Sequence, residues 1–147
     1  MSPASKFKIR SACHGDSLAI ASLISQLGYP TSSGEMNERL AAILPAADYM
    51  TFVAEHNEEV VGMIGVAVGH YYEKNGTYGR LLALVVDGNC QGHGIGASLV
   101  AEAERWLKER GANSVIVNSG KQRKDAHRFY QRLGYEETGS RFVKQLR

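Results

Sequence analysis

Leu84-Val85-Val86-Asp87-Gly88-Asn89-Cys90-Gln91-Gly92-His93-Gly94-Ile95-Gly96 is the stretch that decides how this 147-residue chain is read. A continuous apolar run, Leu81 to Val86, stops at Asp87-Gly88-Asn89, the pattern of a buried strand running into a turn. Glycines follow at 92, 94 and 96, and the stripe Ile95, Leu99, Val100, Ala103 and Leu107 then predicts a long amphipathic helix. The order is therefore strand, glycine-rich loop, helix N-terminus. Glycine lets backbone approach a ligand closely, and the first turn of a helix presents unpaired N–H groups carrying partial positive charge. Together they predict a site for a phosphate or pyrophosphate. The plain alternative is a glycine-rich turn that binds nothing.

Phosphate loops differ in their spacing. A P-loop ends in Gly-Lys-Ser/Thr, whereas Gly96 is followed here by Ala97 and Ser98. The dinucleotide fingerprint G-x-G-x-x-G is not matched by the G-x-G-x-G of this loop. A nucleotide-binding oxidoreductase would also need paired strand–helix–strand halves and an acidic ribose contact, and the sequence offers neither.

Composition narrows the class further. A chain of this length is expected to form one domain, 1–147, large enough for a single core. The formal charge of +2 is too small to argue for nucleic acid or a membrane surface as partner. No apolar run approaches the ~20 residues of a membrane span, and Met1-Ser2-Pro3-Ala4-Ser5-Lys6 has no signal-peptide core, so the expected location is cytoplasmic. Cys13 and Cys90 have no ligand spacing and read as free thiols. His14, His56, His70, His93 and His127 are scattered, so no metal site is expected.

Along the chain, Phe7 to Ala12 alternates like a first strand. Asp16 can cap a helix striped by Ile20, Leu23, Ile24 and Leu27 and ended by Gly28 and Pro30. Ser32 and Glu35 form a capping box for a second helix carrying Met36, Leu40, Ile43 and Leu44, stopped by Pro45. Strands Met50–Glu55 and Val60–Gly69 are predicted to pair across His56-Asn57-Glu58-Glu59 as a hairpin. The polar turn Tyr71–Gly76 leads to the central strand. Gly111 closes the helix after the loop, Val115–Val117 is a short strand, and Asp125–Leu133 is a helix closed by Gly134. Arg141 to Leu146 reads as a last strand. The predicted order is β-α-α-β-β-β-α-β-α-β.

Gln91, Gly94 and Gly96 match Gln/Arg-x-x-Gly-x-Gly/Ala, which resembles the acetyl-CoA pyrophosphate loop of the GNAT superfamily of N-acetyltransferases. A second motif supports this: Ala126-His127-Arg128-Phe129-Tyr130-Gln131-Arg132-Leu133-Gly134-Tyr135 looks like that family's Ala-x-x-Phe-Tyr-x-x-x-Gly-Phe/Tyr. The resemblance runs from Phe7 to Leu146. Within the superfamily, Glu59–Gly65 and Asp125–Tyr130 look most like aminoalkylphosphonate N-acetyltransferases. The implied fold is α/β (α+β), a mixed, mostly antiparallel sheet flanked by about four helices. The implied activity is acetyl transfer from acetyl-CoA to a primary amine, through a tetrahedral oxyanion in a ternary complex. The acceptor would be a small molecule, and a homodimer would follow family habit.

The resemblance also implies roles. A bulge around Leu84, Val85 and Val86 would free backbone N–H groups, one for the pantetheine arm and one for the acetyl oxygen. The loop from Gln91 and Gly92 through His93, Gly94, Ile95 and Gly96 to Ala97 would hold the pyrophosphate, with Ile95 pointing inward and the His93 side chain facing solvent. Tyr130 would act as acid toward the leaving thiolate, although Ala126, Phe129, Tyr130 and Leu133 also make a core stripe by spacing alone. Where relatives carry an asparagine before the second motif, this chain has Arg123, and Asn118 is the substitute expected to meet pantetheine. The basic run Lys121-Gln122-Arg123-Lys124 reads as a solvated loop or as a contact for CoA phosphates or an anionic acceptor.

The general base is unassigned, because Ala83 stands where family members often have glutamate. His70, Tyr71, Tyr72 and Glu73 could supply one, as could an ordered water, and Glu35 and Glu38 could attract an ammonium group. The acceptor pocket is expected between the first two helices and the Tyr71–Gly76 loop. The competing reading is a degenerate acyl-CoA-binding sensor or interaction module.

Overall fold

The computed structural model describes residues 7–118, 124–139 and 141–146. Among them run β1 (Lys8–Ser11), a 3-10 turn (His14–Asp16), α1 (Ser17–Leu27), α2 (Ser33–Ile43), β2 (Tyr49–His56), β3 (Glu59–His70) and β4 (Thr77–Val86). A second 3-10 turn (Gly88–Cys90), α3 (Ile95–Glu109), β5 (Ala112–Val117) and α4 (Lys124–Arg132) complete the order. The chain forms two compact units, Met1–Ile116 and Val117–Arg147.

The strands lie in the order β1-β2-β3-β4-β5. The first three pairings are antiparallel. The β4–β5 connection runs through α3, the kind of crossover a parallel neighbour requires. No helix of the described residues is long and apolar enough to cross a membrane. The expected last strand at Arg141–Leu146 does not form. Phe142, Val143 and Leu146 are exposed there, so strand-prone residues without a described surface to bury against make no strand.

Each face of the sheet is covered. Ile20, Ala21 and Leu23 of α1 pack with Met36 and Leu40 of α2 onto Val53, Met63 and Val85. On the other face α3 buries Ile95, Leu99, Val100, Ala103, Trp106 and Leu107. At two points this helix meets bare backbone of the sheet. A Cβ on Gly62 would lie 3.2 Å from both Ile95 Cγ2 and Leu99 Cδ1, and one on Gly79 only 2.4 Å from Leu107 Cδ1.

Local rules account for the ends. The Ser32–Glu35 capping box forms, with Ser32 N–H donating to Glu35 Oε1 at 2.9 Å and Glu35 N–H donating to Ser32 Oγ at 3.1 Å. Asp16 stands at the N-cap of α1, but its carboxylate caps nothing in that helix. It accepts instead from Cys13 N–H at 2.9 Å and from both Arg10 terminal nitrogens at 2.8 Å. The bidentate bond wins because a charge-assisted pair is stronger than a cap. Arg10 Nε also donates to Glu55 at 2.5 Å, so one guanidinium ties β1, the 3-10 turn and β2.

The Asp16 carboxyl is held below the usual carboxylate range, chiefly by Arg10, with burial opposing and Cys13 N–H assisting. A depressed folded pKa stabilises above the ordinary carboxylate pKa, and the contribution disappears as pH falls through the folded value. Asp16→Asn should therefore cost roughly 2–3 kcal/mol near neutral pH. Urea titrations taken progressively into acid should show that gap closing. A gap independent of pH would contradict this role for the pair.

The β2–β3 hairpin turns on Asn57 (φ 51°) and Glu58 (φ 65°), both left-handed as a two-residue type I′ turn demands. Asparagine tolerates that region, whereas for glutamate it costs about 1–2 kcal/mol. Glycine would relieve the strain and lose about half of that gain to unfolded-chain entropy. Glu58→Gly should raise stability by roughly 0.5 kcal/mol, read as a higher Tm; a lower Tm would refute the strain argument.

Candidate functional site

The glycine loop is built as a rigid base carrying bare backbone. Beyond Val86, Asp87 N–H donates to Val61 O at 2.8 Å and Asp87 Oδ1 accepts from Asn89 N–H at 2.9 Å. Gly88 N–H donates to Gln26 Oε1 of α1 at 3.1 Å, and Gln91 Nε2 reaches back to Val86 O at 3.0 Å. The motif's glutamine side chain thus fastens the loop to the strand end.

Past this base, Gly92 (φ 86°) and Gly94 (φ 79°) take the left-handed backbone, and a Cβ on either would meet nothing within 4 Å. Gly94 is the N-cap of α3 and supplies no capping side chain. The first helical bond runs from Ser98 N–H to Gly94 O at 3.0 Å. The N–H groups of Ile95, Gly96 and Ala97 accordingly have no acceptor within the helix. Gln91, Gly92, His93 and Gly94 are exposed, Gly96 and Ala97 half-buried, and Ile95 buried as the helix's first core residue. Open space in front of unpaired donors at the positive end of a 15-residue helix fits a pyrophosphate. Beside it, partial burial, then the Asp87 and Glu59 carboxylates, push the Cys90 thiol pKa up, which disfavours the thiolate.

The second feature is a cleft of about 190 Å³ between the first two helices and the sheet. Ile20 and Ile24 of α1, Met36, Arg39, Leu40 and Ile43 of α2, and Tyr49, Met50 and Thr51 of β2 form its walls. Met63, Gly65, Val66, Leu82 and Ala83 complete the lining. A Cβ on Gly65 would meet nothing within 4 Å, so the absent side chain leaves part of this space.

The β4 bulge opens onto this cleft, and it does not lie at Leu84–Val86. Those three residues pair regularly with Ile64, Met63 and Gly62. The register breaks earlier: Gly65 faces Ala83 and Val66 faces Leu81, leaving Leu82 without a partner on β3. Glycine at 65 is the physical reason, since a strand glycine weakens the ladder and marks the place where an extra residue can be accommodated. Both Leu82 and Ala83 line the cleft, so any backbone group released by the bulge lies beside it.

The other expected residues belong to other elements. Tyr130 is half-buried on α4, its ring edge-on to Phe129 (5.2 Å) and Tyr135 (5.6 Å). Tyr135 N–H donates to Tyr130 O at 3.0 Å in the turn at Gly134 that closes the helix. Asn118 is exposed just beyond β5. Arg123, with Lys121 and Gln122, lies outside the described residues. The expected pocket wall at Tyr71–Gly76 is absent from the cleft. Tyr71 Oη instead bonds Asn113 Oδ1 and Ser114 Oγ, each at 2.7 Å, with Lys74 stacked 4.5 Å over its ring. None of His70, Glu73, Glu35 and Glu38 lines the cleft, and among the described lining residues there is no Asp, Glu or His.

Sequence reading passed over Leu82 and Arg39. Leu82 carried no signal, because a bulge is a property of two strands and only one was being read. Arg39 did: Met36, Arg39, Leu40 and Ile43 stand at i, i+3, i+4 and i+7, so one arginine interrupts the inward stripe of α2.

Comparison with known proteins agrees with this geometry. The model of the acetyltransferase (GNAT) family matches residues 19–135. An aminoalkylphosphonate N-acetyltransferase of Salmonella typhimurium is 37% identical over 64% of this chain, a stretch that spans 61% of that protein. An aminoglycoside N(6')-acetyltransferase type 1 of Stenotrophomonas maltophilia is 31% identical over 88% of this chain and 86% of its own. Among solved structures, a GNAT family acetyltransferase of Staphylococcus aureus superposes with a TM-score of 0.81 at 29% identity, covering 95% of this chain and 98% of that one. With the strand–glycine loop–helix unit, the bulged sheet and a family match over most of its length, this chain belongs to the GNAT acetyltransferase family.

Proposed function

We propose that the protein is an N-acetyltransferase that moves the acetyl group of acetyl-CoA to a primary amine of a small molecule. The observation that carries this reading is the bare N-terminus of α3: three backbone N–H groups without helical acceptors, behind two glycines whose missing side chains leave open space. Bound there, acetyl-CoA would supply a thioester whose C–S bond breaks as the amine's C–N bond forms.

The chain's own groups divide the remaining work. The N–H groups of Ile95, Gly96 and Ala97, with the loop at Gly92 and Gly94, hold the pyrophosphate. The strand end Leu84–Val86 receives the pantetheine arm. The irregular backbone at Leu82 supplies polarisation of the acetyl oxygen beside the cleft. Tyr130, held edge-on between two aromatic rings, donates its phenolic proton to the departing sulfur. The cleft over Ala83 takes the acceptor, and with no carboxylate or imidazole among the described lining residues, the amine loses its proton to water.

That unfurnished lining is also the observation favouring a second reading, an acyl-CoA-binding module without turnover. One assay separates the two. CoA release on a panel of primary amines should be acetyl-CoA-dependent, and Tyr130→Phe should lower kcat by about 10²–10⁴-fold while leaving the rise in Tm caused by acetyl-CoA intact. Binding without turnover on any amine would establish the second reading, and no binding would refute both.

The loop has its own test. Gly94→Val puts a β-branched side chain at a left-handed φ and into the space assigned to the pyrophosphate. It should weaken acetyl-CoA binding by at least about tenfold, a loss of roughly 1.4 kcal/mol or more. Unchanged affinity would remove the loop from the site.

A further inference from the structure

Thr51 of β2 is the most buried polar side chain of the cleft lining, 5% exposed, whereas Arg39 and Tyr49 are exposed at the mouth. Its backbone is fully employed: the carbonyl accepts from Ala12 N–H at 2.9 Å, and the residue pairs with Gly65 of β3. Its hydroxyl has no hydrogen-bond partner among the described residues. Thr77 Oγ1 is the side-chain polar atom that is both unbonded and sealed from solvent there, so the equally unbonded Thr51 Oγ1 keeps access to the cleft. An unbonded buried hydroxyl destabilises a fold, and valine would keep the shape without that cost. Register fixes the face it stands on. Val53, Met63 and Val85 form one cross-strand row and pack together beneath α1 and α2. Two residues along, with no break in pairing, Thr51, Gly65 and Ala83 form the next row on the same face. Gly65 between them carries no side chain, so Thr51 borders open space that reaches Ala83 and the bulge at Leu82.

We propose, building on the acetyltransferase reading of this site, that Thr51 binds and orients the reacting amine: its Oγ1 accepts an N–H of the acceptor nitrogen while that nitrogen faces the thioester beside the bulge. A primary amine entering this cleft leaves behind water that accepted from its N–H groups. Among the described lining side chains the acceptors left to it are hydroxyls, since Arg39 has donors only. Attack uses the nitrogen lone pair, so a group that holds the nitrogen has to grip its N–H from the side. Thr51 is placed to do so. Its strand is paired on both edges, to β1 and β3, and a β-branched side chain is stiff at χ1, so the hydroxyl is a fixed point. Two strand spacings put Thr51 and Ala83 about 10 Å apart at Cα, room for the amine between them. The hydroxyl does not keep the proton. As the C–N bond forms the nitrogen turns cationic and sheds one N–H proton to water, while the C–S pair leaves with sulfur. The N–H held by Thr51 becomes a stronger donor as that charge grows, so the bond contributes most in the transition state.

The test compares Thr51→Val, which keeps shape and branching, with Thr51→Ser, which keeps the hydroxyl. Wild type is first assayed for CoA release on n-butylamine, putrescine, β-alanine, 2-aminoethylphosphonate and glucosamine, and the fastest is carried forward. On it Thr51→Val should lower kcat/KM by about 10–100-fold, chiefly through kcat, the worth of a hydrogen bond to a charged group. Thr51→Ser should restore most of the loss. Because the hydroxyl does not titrate between pH 6 and 9, the pH profile of Thr51→Val should fall in height and keep its shape. The Tm of Thr51→Val should equal or exceed that of the wild type, and the rise in Tm caused by acetyl-CoA should be unchanged. Activity of Thr51→Val within twofold of wild type, or a loss that Thr51→Ser does not repair, would overturn the assignment and leave the acetyltransferase reading standing. So would a fall in Tm that accounts for the lost activity, since Thr51 would then be structural. No turnover of any amine by the wild type, with acetyl-CoA still bound, would instead defeat that reading and this one with it.

Discussion

Everything at the candidate site depends on how closely α3 can sit on the sheet. Two glycines set that distance. Gly62 lies beneath Ile95 and Leu99, at the end of β3 that pairs with Val86, and Gly79 lies beneath Leu107 near the other end of the helix. A methyl group at Gly79 would come within 2.4 Å of a fully buried leucine, and cores resist such insertions by roughly 1–3 kcal/mol. With its axis seated at two points, the helix can begin only a few residues after β4 ends. The loop between them has to turn sharply, and its backbone donors are left pointing at solvent. The proposed anion site is thus a consequence of packing as much as of loop sequence.

On the opposite face the same sheet solves a different problem. Helices α1 and α2 cover it with Ile20, Leu23, Met36 and Leu40, but Gly65 contributes no side chain and Leu82 slips out of register. The result is a gap in an otherwise close-packed layer. Protein interiors rarely leave space of this size unfilled. Here the gap is bordered by irregular backbone on the strand side and by a guanidinium on the helical side. In the proposed reading, this apolar gap is the acceptor cleft rather than a packing fault. The remote Arg10–Asp16–Glu55 cluster serves stability instead, pinning β1 and the entry to α1.

Much of this was legible in the residues. The apolar run ending at Asp87, the alternate glycines and the stripe from Ile95 to Leu107 specified strand, loop and helix because each is a local pattern with its own period. The Ser32–Glu35 box and the Asn57–Glu58 turn were equally local. What failed to show was whatever needs two segments at once. The bulge sits at Leu82 because of Gly65 across the ladder, and nothing in β4 alone distinguishes Leu82 from Leu84. Asp16 reads as a helix cap until Arg10 competes for it. Arg141–Leu146 carries the strand-prone Phe142 and Val143, yet such residues form a strand only where a partner edge exists. Arg39 was visible as a break in a stripe, and its meaning waited for the cleft.

The central claim is that the bare N-terminus of α3 and the end of β4 receive coenzyme A. Backbone amide spectra of the isotope-labelled protein, titrated with coenzyme A, test it most directly. The account predicts that the largest shifts fall on Gly92 through Ala97 and on Leu84 to Val86, with little change at the remote Arg10–Asp16 cluster. Saturable binding whose shifts avoid that loop, or no binding at all, would contradict it.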